Sequence, residues 1–248
     1  IRNRILFGKC ALALTLVSAS FGVNAQTTVQ VGTATSTTDN APVKTQVAYS
    51  YSQSLYMASD LIAGGATGVG MISKIRYYMN SGSNNANSNN LTVYLGNTNK
   101  VTFNTTTDWV AANAMTVCFS GIVTYTSNSW VEITLTTPFL WNGTDNIVVG
   151  VDENASGTGG NAMWRYSDLG GANQRTIFYN NATTNPDPAS PPTATSRGSW
   201  TPNIQFVWTS TPPCAGTPSH QTATVNDGSI CPGQTVNFGM TSATAESG

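Results

Sequence analysis

Between Ser129 and Asn154 the chain reads SWVEITLTTPFLWNGTDNIVVGVDEN, and this stretch limits what the rest can become. Val131, Ile133 and Leu135 alternate with Glu132, Thr134 and Thr136, the two-residue period of a strand with one dry face and one wet face. Ile147 to Val151 is apolar almost without a break, as in a strand covered on both sides. Asn142-Gly143 between them supplies turn chemistry, so the two strands read as a hairpin. Val131, Ile133, Leu135, Ile147, Val149 and Val151 are then expected in the core.

The same period recurs along the chain. Ile75, Tyr77 and Met79 alternate with Lys74, Arg76 and Tyr78, and Tyr49, Tyr51 and Tyr56 mark another strand in YSYSQSLY. Further candidates are Thr27 to Thr33, Leu91 to Leu95, Met115 to Thr126, Ala162 to Tyr166, Gln174 to Tyr179 and Ile204 to Trp208. Gly121 marks an expected bulge, and Cys118, at apolar parity, an expected buried free thiol. Asn80 to Asn90 is a polar loop, and the proline-rich NPDPASPPTATSRGSW of residues 185–200 is a second, barred from a central sheet. Past the first 25 residues there is no helical period and no strand-helix-strand alternation. The expected fold is all-β, a jelly-roll-like antiparallel β-sandwich from Gln26 to Thr209.

The first 25 residues read as a secretory signal: Arg2, Arg4 and Lys9, an apolar run from Cys10 to Val23, and Val23-Asn24-Ala25 as a cleavage site. The run is short for a membrane span, so the mature chain is expected to carry no transmembrane segment and to be secreted or held at the cell surface. Cleavage after Ala25 removes three of the ten Lys and Arg and none of the eleven Asp and Glu, taking the formal charge from −1 to −4. Nothing there matches a phosphate backbone, which argues against nucleic acid as a partner. Charged residues make up only 8% of the chain, so its surface solvates mainly through hydroxyls and amides.

Composition shifts near Thr209, and residues 210–248 read as a linker and the start of a second domain. Cys214 and Cys231 enclose a short loop whose default reading in an exported chain is a disulfide; the rival is a metal site, for which two cysteines and the lone His220 are a weak ligand set. With no initiator Met and a stop at Glu246-Ser247-Gly248, the chain reads as part of a larger protein.

NLTVYLGNTN (90–99), TDWV (107–110), FSGIVTYTSNSWVEITLTTPFLWNGTDNIVVGVDEN (119–154) and NPDPASPP (185–192) together resemble a β-sandwich module of large secreted adhesin-like proteins of Bacteroidota-type bacteria. CAGTPSHQTATVNDGSICPGQTVNF (214–238) is similar to the start of the immunoglobulin-like repeats of that group. The resemblance implies export and surface display, with a truncated immunoglobulin-like segment at the C-terminus. It brings no catalytic residues.

A Ser or Cys nucleophile needs a base in reach, and the only histidine lies outside the main domain. HExxH, GxSxG and phosphate-loop patterns are missing from the sequence. Asp108, Glu132, Asp145, Asp152 and Glu153 are the acids from which a glycosidase pair would have to come. Asp152 and Glu153, with Asn154, end a buried strand before a glycine-rich loop, where their oxygens suit Ca²⁺; the competing reading is turn capping. No other cofactor is expected. Trp109, Trp141, Trp164, Tyr166 and Trp200 lie in or near loops or strand ends, where flat rings stack on sugars or anchor a protein. Trp130, sharing the parity of Glu132, is expected at the surface, and Trp208 in the core. The function expected is non-catalytic binding of a carbohydrate or an extracellular or cell-surface protein. The alternatives are an accessory domain of a secreted peptidase or other hydrolase, and a structural spacer, in which the loop aromatics would share no groove.

Overall fold

The computed structural model describes residues 26–83 and 86–210, and the backbone of two short strands beyond them. The strands are β1 (Gln26–Val31), β2 (Ser36–Thr38), β3 (Tyr49–Tyr56), β4 (Gly70–Ser81), β5 (Asn90–Thr98), β6 (Thr116–Ile122) and β7 (Ser129–Trp141). They continue with β8 (Asn146–Glu153), β9 (Met163–Asp168), β10 (Thr176–Asn181), β11 (Ser196–Gly198), β12 (Trp200–Pro202) and β13 (Ile204–Ser210). One antiparallel sheet runs β1-β13-β4-β9-β12, with β7 on β4 and β2 on β9; the other runs β11-β10-β3-β8-β5-β6. The two pack as a β-sandwich around one apolar layer. Among the described residues no helix is long and apolar enough to cross a membrane.

The core follows from register. Ile75 of β4 lies between Ile133 and Phe206, and Tyr77 between Val131 and Ile204, so each dry face adds a row of apolar side chains. Opposite them, Ile147, Val149 and Val151 of β8 meet Tyr56, Leu95 and Val93 across the ladders. All six residues expected in the core from the 129–154 periodicity are buried. Trp208 is buried as expected, as is Cys118, whose free thiol burial pushes up to about 11.

The hairpin reading is corrected. β7 pairs with β4 in the first sheet, whereas β8 lies between β3 and β5 in the second, so Asn142-Gly143 turns a corner from sheet to sheet. The Asn142 side-chain oxygen accepts the Thr144 and Asp145 amides at 3.1 and 2.9 Å, and Gly143 has φ +81°. Trp141 then donates its indole N–H to the Asp145 carbonyl at 2.7 Å, fixing the corner to the core. Tight-turn chemistry is satisfied here without pairing the flanking strands.

Three smaller differences have local causes. Ala58–Ala63 forms a six-residue helix, α1, too short to show a period; Asp60 caps the Met57 amide at 3.1 Å, and Leu61 buries into the core. Residues 196–198 and 200–202, at the end of the proline-rich segment, form β11 and β12, both at sheet edges. In β6 the register slips at Cys118, because Val93 pairs with Phe119 and Tyr94 with Val117, while Gly121 stays in the ladder opposite Leu91. β14 (Ala223–Val225) and β15 (Phe238–Met240) pair antiparallel. The signal at residues 1–25 and Cys214, Cys231 and His220 lie outside the described residues.

Trp208 needs a glycine beside it. A Cβ on Gly70 would overlap the Trp208 indole at Nε1, and the indole is itself buried in the core. Gly70→Ala is therefore expected to lower stability by about 1–3 kcal/mol in urea unfolding. An unchanged midpoint would show that the indole can shift.

Candidate functional site

The loop and strand-end aromatics separate into three places. Trp141 and Trp164 are 0% and 1% exposed and present no ring face to a ligand, which corrects the expectation for both. Each lies on the inward parity of its strand, and the indole N–H that suggested a wet end is satisfied inside, by Asp145 for Trp141 and by the Val43 carbonyl at 2.8 Å for Trp164. Tyr125 packs edge-on against Trp164 at 5.6 Å.

Tyr166 and Trp200 do meet, 5.3 Å apart, with Phe178 at 6.1 Å from Trp200. They come from β9, β12 and β10, so they fill the gap between the sheets where β11 crosses into β12; Trp200 lies directly over Gly198. Trp109 stands elsewhere, on the outer face of the second sheet, stacked on Tyr51 at 5.0 Å and 24°. Its N–H goes to the Pro192 carbonyl at 2.9 Å, and Gln53 holds the next residue by bonding both the N–H and the C=O of Val110 at 2.8 Å. These five rings share no groove.

Asp152 and Glu153 are adjacent in β8, so their side chains leave on opposite faces. Asp152 takes the outer face between Tyr51 and Thr92, and Glu153 the inner face between Ser50 and Leu91. Both are buried. Desolvation pushes Asp152 up to about 6, with Asn154 opposing and Asp187 adding; desolvation pushes Glu153 up to about 8, against the Ala155 amide and with help from Asp152. One oxygen of each makes no hydrogen bond. Among the described residues no three His, Cys, Asp or Glu side chains come together. The joint calcium ligation expected of this pair is corrected by strand alternation.

The other acids are engaged singly. Asp108 bonds Lys100 at 2.6 Å and the Asn104 amide at 2.7 Å, Asp145 accepts from Asn142 at 2.7 Å, and Glu132 is held between two cations.

Those cations belong to the outer face of the first sheet, which no loop pairing had marked in the sequence. Along β4, Lys74, Arg76 and Tyr78 share the wet parity, and the register sets Arg76 beside Glu132 and Tyr78 beside Trp130. Lys74 and Arg76 reach Glu132 at 2.7 Å each, and Lys74, ahead of Arg76, holds its carboxyl below the usual range. Arg76 continues to Gln205 at 3.3 Å, and Gln205 to Gln30 at 2.9 Å. Trp130 meets Tyr78 edge to face at 5.3 Å and 90°, while the Arg165 guanidinium of β9 lies 4.1 Å from the Tyr78 ring centre. The Tyr78 hydroxyl donates to Asn128 at 2.9 Å, and Arg165 Nε to Asn80 at 3.1 Å. Trp130, half-buried, fits its expected surface position.

The result is a hydrogen-bonding sheet face with an aromatic pair at one end. Parity places Tyr78 and Trp130 on wet faces; their meeting depends on a register between residues 52 apart in sequence. No known family, curated protein or solved structure matches this chain.

Proposed function

We propose that this chain is a non-catalytic surface module of a larger exported protein, binding a carbohydrate or an extracellular protein on the outer face of its first sheet. The observation carrying this reading is the Tyr78–Trp130–Arg165 cluster beside Arg76, Gln205 and Gln30. Sugars present C–H faces that pack on aromatic rings and hydroxyls that bond amide and guanidinium groups, so the two halves of this face match the two halves of that ligand. The order β1-β13-β4-β7 opposite β3-β8-β5-β6 supports a jelly-roll-like winding. The export-associated resemblance supports surface display, and the separately engaged acids support a role without catalysis. An accessory domain of a secreted hydrolase would use the same face.

A spacer is the second reading, favoured by the loop aromatics being packed without a shared groove. A glycan array with the full chain separates the two. Retention of at least one glycan that Trp130→Ala reduces about tenfold, with an unchanged melting temperature, is the expected outcome. A folded chain that retains no glycan and no extracellular-matrix protein would leave the spacer.

A further inference from the structure

We infer that the outer face of the first sheet takes an acidic polysaccharide, one bearing carboxylate or sulfate groups. This deepens the binding reading above and rests on it. Residues 26–210 hold seven Lys and Arg and nine Asp and Glu, so the described body is net acidic. Its charges are not spread evenly. Lys44, Lys100 and Arg175 each pair with one acid, namely Asp39, Asp108 and Asp60, and Arg197 bonds the Phe103 carbonyl. On this face Lys74 and Arg76 share a single acid, Glu132, and among the described residues Arg165 forms no ion pair. The face is thus a positive stripe on an acidic protein, which steers anions to it and away from the rest of the surface.

The donors are oriented for oxyanions. Lys74 and Arg76 keep 33% and 26% of their side chains in solvent, so pairing with Glu132 does not hide them. Arg165 spends Nε on Asn80, and among the described residues its two terminal amino groups have no hydrogen-bond partner. Held over the Tyr78 ring and tied through Nε to Asn80, that guanidinium offers a fork of the kind that grips a carboxylate or sulfate with two parallel bonds. Along β4, Lys74, Arg76 and the Tyr78–Arg165 stack follow one another on alternate residues, over about 13 Å at roughly 3.3 Å per residue. Such a row suits a chain with repeated charges better than a single anion. Gln205, Gln30 and Thr134 flank it with groups that bond hydroxyls. Nucleic acid would demand more cations than three offset by one acid.

The test compares dextran sulfate with unmodified dextran, and polygalacturonate with neutral pullulan, against the immobilised full chain, with poly-dT as a third polyanion. Expected are retention of the acidic polysaccharides at least about tenfold above their neutral counterparts, weakening as salt rises, and weaker retention of poly-dT. Arg165→Gln and Lys74→Gln should each reduce that retention several-fold, whereas Lys100→Gln, the same change of net charge at the Asp108 pair beside the second sheet, should leave it unchanged. Equal losses in all three variants would mean diffuse attraction and overturn the site. Equal retention of dextran and dextran sulfate, abolished by Trp130→Ala, would overturn the charge inference while leaving carbohydrate binding intact. Retention of poly-dT at the level of dextran sulfate, or retention of none of the probes by the folded chain, would overturn it too.

Discussion

Trp164→Ala is expected to cost about 3–5 kcal/mol of unfolding free energy, among the largest losses available to a single residue here. The indole is 1% exposed, packs against Tyr125 and donates to the Val43 carbonyl, so truncation opens a cavity and strands a buried acceptor. A drop of this size lowers the melting temperature by on the order of 10 °C in a domain of this length. Trp164→Phe should fall between, because it restores most of the apolar area but not the donor, leaving a deficit of about 1–3 kcal/mol. Urea unfolding of the three proteins gives the order directly. The experiment also decides between the two roles a tryptophan near a strand end can have: a ligand platform would lose binding with little stability, a core residue the reverse. An alanine variant within 1 kcal/mol of the parent would overturn the packing role.

The fold was legible where one face of a strand is wet. β4 and β7 alternate, so their buried rows could be named residue by residue from Ile75, Tyr77, Val131 and Ile133. Pairing was not legible. The Asn142-Gly143 turn satisfies its own backbone wherever the next strand goes, and β7 finds its partner more than 50 residues upstream. β3 was opaque in another way: Ser50, Ser52 and Ser54 are buried on the inner parity, where serines give no apolar period to read. Their hydroxyls are used internally, Ser52 on the Pro42 carbonyl and Ser54 with Thr176, a contact between residues 122 apart in sequence.

The candidate site was less legible than the fold, for the same reason. Loop aromatics are conspicuous in a sequence because they stand among Gly, Asn and Pro, yet here those loops fold back so that Trp109 lies on Tyr51. Tyr78 and Trp130 sit within regular strands, where aromatic residues are expected for their β propensity and do not single themselves out as ligand contacts. Their surface position follows from parity, but the cluster requires Arg165 from a third strand. Asp152 and Glu153 show the converse. Adjacent acids suggest shared ligation in a loop, whereas in an extended strand adjacency guarantees separation.

The second large effect is a stability that falls as pH rises from about 5 to about 9. Glu153 is completely buried, with one oxygen unpartnered, and its proton is held up to about 8 against an ordinary value near 4.5. The native state therefore binds this proton through a pH range in which the unfolded chain has released it. More protons on the native side mean that stability decreases with increasing pH: the full contribution is present below about 4.5 and is gone above about 8. At ~1.4 kcal/mol per unit the loss is on the order of 3–5 kcal/mol, and Asp152, held up to about 6, adds in the same direction at the acid end of the window. Glu132, held down first by Lys74, and Asp108, where Lys100 and the Asn104 amide outweigh burial, act oppositely but only as pH drops below the ordinary carboxylate range. Between pH 5 and 9 the buried acids thus set the slope. Glu153→Gln, neutral at every pH, should flatten most of it and make the variant more stable than the parent at pH 9, read from urea midpoints at unit steps of pH. A parent protein more stable at pH 8 than at pH 5 would reverse the sign and place the Glu153 carboxyl in contact with water or a cation.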